Sequence, residues 1–165
     1  MTTGSWVQII CLVLLILFSA FFSASETAFT SLNKIRLKTM ADDGNKKAAK
    51  AYKMAENYDK LLSTVLVGNN IVNITASSVA TVLFIRLINE SKGPTVSTII
   101  MTVLLLIFGE VTPKTLAKEM PEKYGMFATP FLRALTVILT PAVAFFMLWK
   151  KLLSKIFKFK KDDTI

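Results

Sequence analysis

Two stretches of this chain contain no charged residue and are long enough to cross a lipid bilayer as helices. Residues 1–25 and 61–85 lack Asp, Glu, Lys and Arg, and residues 93–109 form a shorter uncharged run. A spanning helix needs about 20 predominantly apolar residues, a length the third run reaches if its helix continues past Gly109. We therefore expect an all-α integral membrane protein with three transmembrane helices, at about 6–32, 60–87 and 95–119.

The first uncharged run has one competing interpretation, the apolar core of a cleaved signal peptide. Such peptides begin with a positively charged region. The first basic residue here is Lys34. We therefore predict that the first run is retained as a transmembrane helix.

The formal net charge of +9 is concentrated beside the apolar segments. Residues 34–60 contain eight basic residues, and residues 150–161 contain six. This distribution is typical of cytoplasmic segments that face anionic lipid headgroups, and it argues against nucleic-acid binding. We expect a multi-pass plasma-membrane protein with its N-terminus outside and its C-terminus in the cytoplasm. Residues 33–59 should form a cytoplasmic helical hairpin with its turn at 41–45.

The segment 124–150 is apolar enough to span, but it contains Arg133 and two prolines, Pro130 and Pro141. A fourth span would carry the basic residues 150–161 to the outside, against the charge rule. We predict a juxtamembrane or re-entrant helix kinked by its prolines, with four true spans as the alternative. Residues 1–150 would then form the membrane domain, and residues 151–165 a basic cytoplasmic tail without a fold of its own.

An acidic residue, Glu110, follows the third apolar run directly. A carboxylate at or near membrane depth is costly and usually marks a functional site. Pro113 has no N–H and crowds the carbonyl four residues earlier, which belongs to Gly109. These residues predict a broken helix with a free carbonyl oxygen beside a carboxylate, which is a suitable arrangement for a cation.

The first two predicted helices each carry polar residues at four-residue spacing, which places them on one helix face. The positions are Ser19, Ser23, Thr27 and Ser31 in the first helix and Asn69, Asn73, Ser77 and Thr81 in the second. Hydroxyl stripes also serve helix packing in membranes. Two buried amides one turn apart are harder to explain by packing alone, so they favour a binding role.

The residue types exclude several kinds of chemistry. The chain has no histidine and one cysteine, Cys11, so a zinc or copper site and histidine-based catalysis are not expected. No nucleophile–base pair is apparent, and we do not expect an enzyme. Oxygen ligands with one carboxylate suit hard cations such as Mg²⁺ and Na⁺.

Three motifs resemble those of the transmembrane domain in the CorB/CorC and cyclin-M (CNNM) family of magnesium transporters. They are FFSASETAFTSLNKIRL at 21–37, LLSTVLVGNNIVNI at 61–74 and FGEVTPKTLAKE at 108–119. The resemblance covers nearly the whole chain with the motifs in the same order. It implies a homodimer that exports Mg²⁺ with Na⁺ as a possible coupling ion. It also implies metal ligands at Ser23, Asn69, Asn73, Gly109 (through its carbonyl) and Glu110, with Ser25 and Thr27 lining the cavity.

Full-length members of that family usually continue into a paired CBS module that binds ATP, and no such module is present in this sequence. Two other functions stay open at this point. The chain could be a passive cation channel, or a non-transporting membrane anchor whose polar stripes only hold the helices together.

Overall fold

The computed structural model describes residues 2–162, with side chains up to residue 157. The described residues are helical throughout, apart from short connections, and contain no β-strand. The elements are α1 (Thr3–Ser31), α2 (Lys34–Asp42), α3 (Lys46–Glu56), α4 (Tyr58–Leu87), α5 (Gly93–Leu104), a π-helical segment (Leu105–Val111), α6 (Thr112–Glu119), α7 (Pro121–Ile138) and α8 (Thr140–Asp162). The predicted all-α class is confirmed.

Three of these helical units are long and apolar enough to cross a membrane: α1, α4 and the continuous unit Gly93–Glu119. The predicted three spans therefore have counterparts in the structure. α1 is the central element, because α4, the π-helical segment and α6 all pack against it. Near the start of α1, Leu12 packs against Ala76 and Ala80 of α4 and Met101 of α5.

The third span is not broken at 109–113, so this prediction was wrong. The helix instead widens into the π-helical segment, in which each N–H bonds to the carbonyl five residues earlier. The N–H of Thr112, for example, donates to the carbonyl of Ile107. Pro113 then sits in the first turn of α6, where its missing N–H is tolerated. The helix accommodates Pro113 because the π-helical segment before it contains one extra residue in a turn.

A helical hairpin formed by α2 and α3 lies between the first two spans. Asn33 and Asn45 begin the two helices, and each side chain accepts hydrogen bonds from the first-turn N–H groups. Gly44 occupies the turn with a φ of +101°, a conformation that favours glycine. The hairpin buries a small apolar cluster against α7, which contains Leu37, Ala48, Ala51, Ala55, Ala128 and Leu132.

The segment predicted as one kinked helix at 124–150 is two helices. α7 and α8 meet at a bend of 83°, and Pro141 lies just after the break. Such a pair is either a broken span or a re-entrant loop, so three and four spans both stay open. The basic tail predicted at 151–165 continues α8 as a helix to Asp162. Residues 163–165 of that tail lie outside the described part of the chain.

Candidate cation site

The three spanning units meet at Ser19. The Ser19 hydroxyl donates to Oδ1 of Asn69 on α4, with an oxygen–oxygen distance of 3.3 Å. Gly109 of the π-helical segment lies against the same hydroxyl, because a Cβ built on Gly109 would be 2.8 Å from Ser19 Oγ. The structure thus brings together two of the predicted ligands, Asn69 and Gly109. It adds Ser19, which the sequence placed on the polar face of α1 but not among the ligands.

Two buried oxygens lie one helical turn further along α1 and α4. Ser23 Oγ and Asn73 Oδ1 are both buried, and neither has a hydrogen-bond partner in the described part of the chain. A buried polar atom without a partner costs about 1–3 kcal/mol, so such atoms require an explanation. Asn73 also borders an open groove of about 320 Å³ along α4, which is lined further by Ser77 and Thr81. These oxygens are available to a ligand.

Glu110 has a different partner from the one predicted. Its carboxylate Oε2 lies 3.3 Å from Nζ of Lys114, one turn later on the same helix. Both side chains are more than a third exposed, so the pair is a surface-type ion pair. Lys114 thus carries the positive charge that faces Glu110. No hydrogen bond joins Glu110 to Ser23, Asn69 or Asn73 among the described residues.

The π-helical segment leaves two carbonyl oxygens without their usual donors. Gly109 loses its ordinary donor because Pro113 lies four residues later, although the N–H of Lys114, five residues later, is in the register that the π-helical segment uses. Phe108 is the second case, because the N–H of Thr112 donates to Ile107 and the next residue is Pro113. Sequence reasoning missed Phe108, since an ordinary helix gives its carbonyl the N–H of Thr112. Both carbonyls are neutral oxygen ligands of the kind that hard cations accept.

Ser23, predicted as a ligand, and Ser25, predicted to line the cavity, have different environments. Ser25 is buried, and its hydroxyl donates to the carbonyl of Phe21 at 2.7 Å. Tyr124 of α7 donates to the same carbonyl at 3.1 Å. Ser25 therefore has a structural role, while the hydroxyl of Ser23 has no such bond. Thr27 is buried further along α1.

The available atoms limit what could bind. Within the described residues no three Asp, Glu, Cys or His side chains cluster, so a cation between the spans would be held mainly by neutral oxygens, together with Glu110, the carboxylate that directly follows Gly109. Asn69 could contribute if the Ser19 hydroxyl rotates away, because a hydroxyl can donate in several directions. This set suits a hard cation that keeps part of its water.

Replacing Ser23 with Ala should leave the free energy of unfolding unchanged or raise it, because Ser23 Oγ makes no bond that would be lost. Replacing Ser25 with Ala should lower it by about 0.5–1.5 kcal/mol, since the bond to Phe21 is lost. Thermal unfolding of the two variants in detergent without Mg²⁺ measures both effects. A larger loss in the Ser23 variant would show that its hydroxyl is structural.

Comparison with known proteins gives matches over most of the chain. The family model described as the Cyclin M transmembrane N-terminal domain matches residues 10–165. A UPF0053 protein of Haemophilus influenzae is 43% identical over 156 residues, which is 94% of this chain and 36% of that protein. The UPF0053 inner membrane protein YfjD of Escherichia coli (strain K12) is 37% identical over 147 residues, 89% of this chain and 34% of that protein.

A third relative is named for its function. The polyamine export protein of Escherichia coli (strain K12) is 31% identical over 171 residues, which is 94% of this chain and 38% of that protein. The chain thus spans a little over a third of the length of these relatives. The matched part contains all three spanning units.

Proposed function

Because this chain belongs to the cyclin M transmembrane domain family, whose matched relatives include an inner membrane protein and an export protein, we propose that it moves Mg²⁺ across the plasma membrane. The proposed direction is efflux with Na⁺ entry as the coupling reaction. The chain is a multi-pass membrane protein by its helices, and we place its N-terminus outside and its C-terminus in the cytoplasm on the charge rule.

The observation that supports this proposal best is the pair of buried oxygens without partners, Ser23 Oγ and Asn73 Oδ1. They lie on two different spans, next to the point where Ser19 and Asn69 join those spans. A scaffold that only packs helices would gain by bonding such atoms to each other or by losing them. Because α1 and α4 run antiparallel, these oxygens lie on opposite sides of that contact, and a cation that moves between the spans gives each of them a partner in turn.

The ion pair between Glu110 and Lys114 is the state that we propose for the site before a cation binds. Without a bound cation, the Lys114 ammonium neutralises Glu110 at 3.3 Å. A Mg²⁺ ion that reaches the carboxylate replaces the ammonium, and the Phe108 carbonyl, which the π-helical segment leaves without its donor, lies two residues earlier in the sequence. One carboxylate only partly neutralises a divalent ion, which favours release over storage.

The assembly implied by this function is a homodimer in the lipid bilayer, with no nucleic acid. A CBS module that binds ATP would come from the parts of longer relatives that this chain does not cover. Neither partner is needed for the cation to contact the residues named above.

Flux of Mg²⁺ from liposomes that contain the purified chain tests the proposal. We expect flux above that of empty liposomes, and a dependence on the Na⁺ gradient at clamped membrane voltage. Flux that ignores the Na⁺ gradient would favour a passive cation channel. No flux, together with no Mg²⁺-dependent rise in melting temperature, would favour a membrane anchor.

A second candidate cargo is a polyamine. The relative named as a polyamine export protein suggests it, and the contact of Lys114 with Glu110 shows that this carboxylate accommodates an alkylammonium group. The same liposomes, loaded with spermidine instead of Mg²⁺, distinguish the two. We expect Mg²⁺ to be the better substrate, because a compact divalent ion can share closely spaced oxygen ligands, whereas a polyamine spreads its charges along an extended chain.

Replacing Lys114 with Met should strengthen Mg²⁺ binding by about 1.4- to fivefold, which corresponds to the roughly 0.2–1 kcal/mol of an exposed ion pair. The physical reason is that the ion no longer competes with an attached ammonium. The concentration of Mg²⁺ that half-maximally raises the melting temperature measures it. Lys118→Met is the control, since Lys118 is exposed one turn later. An equal change in both variants would contradict the competition.

A further inference from the structure

A cavity of about 240 Å³ opens where the hairpin, the start of α4 and α7 come together. Four basic side chains line it from three separate elements: Lys50 and Lys53 of α3, Lys60 of α4 and Arg133 of α7. We call it the basic pocket. Arg133 is the only charged residue in 124–149, and the cation site gives it no role. The basic pocket therefore offers a role for the Arg133 charge.

The positive charge of the basic pocket is not neutralised within the described residues. The single ion pair among the described residues joins Glu110 to Lys114, outside the pocket, so none of the four basic side chains forms an ion pair with a carboxylate. The nearest acidic residues in sequence, Glu56 and Asp59, are exposed and do not line the cavity. Four like charges around one cavity repel each other, and an anion between them would remove that repulsion.

The start of α4 adds a second feature that favours an anion. Asn57 precedes this 30-residue helix and lines the basic pocket, but its side chain makes no capping hydrogen bond. The first N–H groups of a helix carry partial positive charge and commonly bind phosphate. The uncapped end of α4 therefore lies at the cavity that the four bases surround.

The walls of the pocket also contain apolar side chains, which indicates an amphiphilic ligand. Leu61 and Met54 line it, and Val137 at its edge is 74% exposed. The uncharged part of α4 begins at residue 61, so the cavity lies at the polar boundary of that span. Basic pockets between helices at this boundary are suited to anionic lipid headgroups. The volume is below the roughly 300–1,000 Å³ typical of drug-sized ligands, which suits a headgroup alone.

From these observations we infer that the basic pocket binds the phosphate group of an anionic membrane lipid, with the acyl chains leaving past Val137. The headgroup would contact Lys53, Lys60 and Arg133 and would join the hairpin to α4 and α7. This inference does not depend on which cation the protein transports.

Titration of the purified full chain in neutral detergent with phosphatidylglycerol tests the inference, with native mass spectrometry and melting temperature as readouts. Phosphatidylcholine and inorganic phosphate are the comparison ligands. We expect phosphatidylglycerol to bind and to raise the melting temperature, and the other two to do neither at the same concentration. Equal binding of inorganic phosphate would overturn the lipid assignment in favour of a soluble phosphate, and equal binding of phosphatidylcholine would show that charge does not select the ligand.

The double variant Lys53→Gln/Arg133→Gln should bind phosphatidylglycerol about 30-fold more weakly, from about 1 kcal/mol for each removed charge. The matched control Lys46→Gln/Lys47→Gln removes the same charge from exposed positions of α3 outside the pocket, and it should bind within about twofold of the unmodified chain. Equal loss in both would overturn the inference. If Arg133→Gln lowers the melting temperature without lipid, Lys53→Gln/Lys60→Gln gives the same test at exposed positions.

Discussion

Replacing Glu110 with Gln is expected to reduce Mg²⁺ flux in liposomes by at least about 100-fold. Glu110 directly follows Gly109, which lies against Ser19 at the point where the spans meet, and Gln keeps its size while removing its charge. A unit charge about 4 Å away contributes about 4 kcal/mol at an effective dielectric constant of 20, and more for a divalent ion. Even after the cost of desolvation, a remaining 2.7 kcal/mol corresponds to the 100-fold loss.

The matched control for Glu110→Gln is Glu119→Gln, which removes the same charge from an exposed position at the end of α6. It should keep flux within about twofold. The melting temperature of Glu110→Gln without Mg²⁺ should change little, because an exposed ion pair contributes under about 1 kcal/mol. Asn73→Ala should also reduce flux, and Asn70→Ala, which alters an exposed amide on the same helix, should not. Normal flux in both Glu110→Gln and Asn73→Ala would refute the proposed site.

Replacing Gly68 with Ala is expected to lower the free energy of unfolding by about 1–3 kcal/mol. A Cβ on Gly68 would lie 2.5 and 2.6 Å from two ring atoms of Phe22, which is nearly fully buried. An aromatic ring in a packed core cannot bend away, so α1 and α4 must move apart. These helices carry Ser19 and Asn69 next to the contact, so Mg²⁺ flux should fall too.

Thermal unfolding in detergent measures this effect, and a second substitution tests its cause. Phe22→Leu removes the ring atoms nearest to Gly68, so the double variant Gly68→Ala/Phe22→Leu should lose less stability than the sum of the two single changes. Gly4→Ala is the control, because its Cβ would meet only the movable end of the Arg86 side chain, at 3.0 Å. Additive losses would show that the Phe22 contact is not the cause.

The spans could be predicted from the sequence because their physical cause is local. An uncharged run of sufficient length has few other stable structures in a bilayer, and α1, α4 and Gly93–Glu119 follow the predicted limits closely. The ion pair of Glu110 with Lys114 follows from four-residue spacing. The Glu110 carboxylate was instead predicted to face a cation.

The features that could not be predicted depend on how several helices share one space. Pro113 indicated a break, but a helix can also lose one bond and widen, and packing of the π-helical segment on α1 selects between these outcomes. The bridging position of Ser19 needs the register of α1 against α4, which spacing within one helix does not contain. The angle between α7 and α8 also depends on packing, since Pro141 permits a bend without setting its angle.

The extra residue in Leu105–Val111 affects the orientation of α6, the helix that follows. An α-helix turns by about 100° and rises 1.5 Å for each residue. If the π-helical turn changed to ordinary α-helical hydrogen bonding, α6 would rotate about the helix axis by roughly that angle. The hydrogen bonds within α6 would stay intact. Such a change would turn Lys114 and the rest of α6 relative to the preceding part of the span without unfolding the helix.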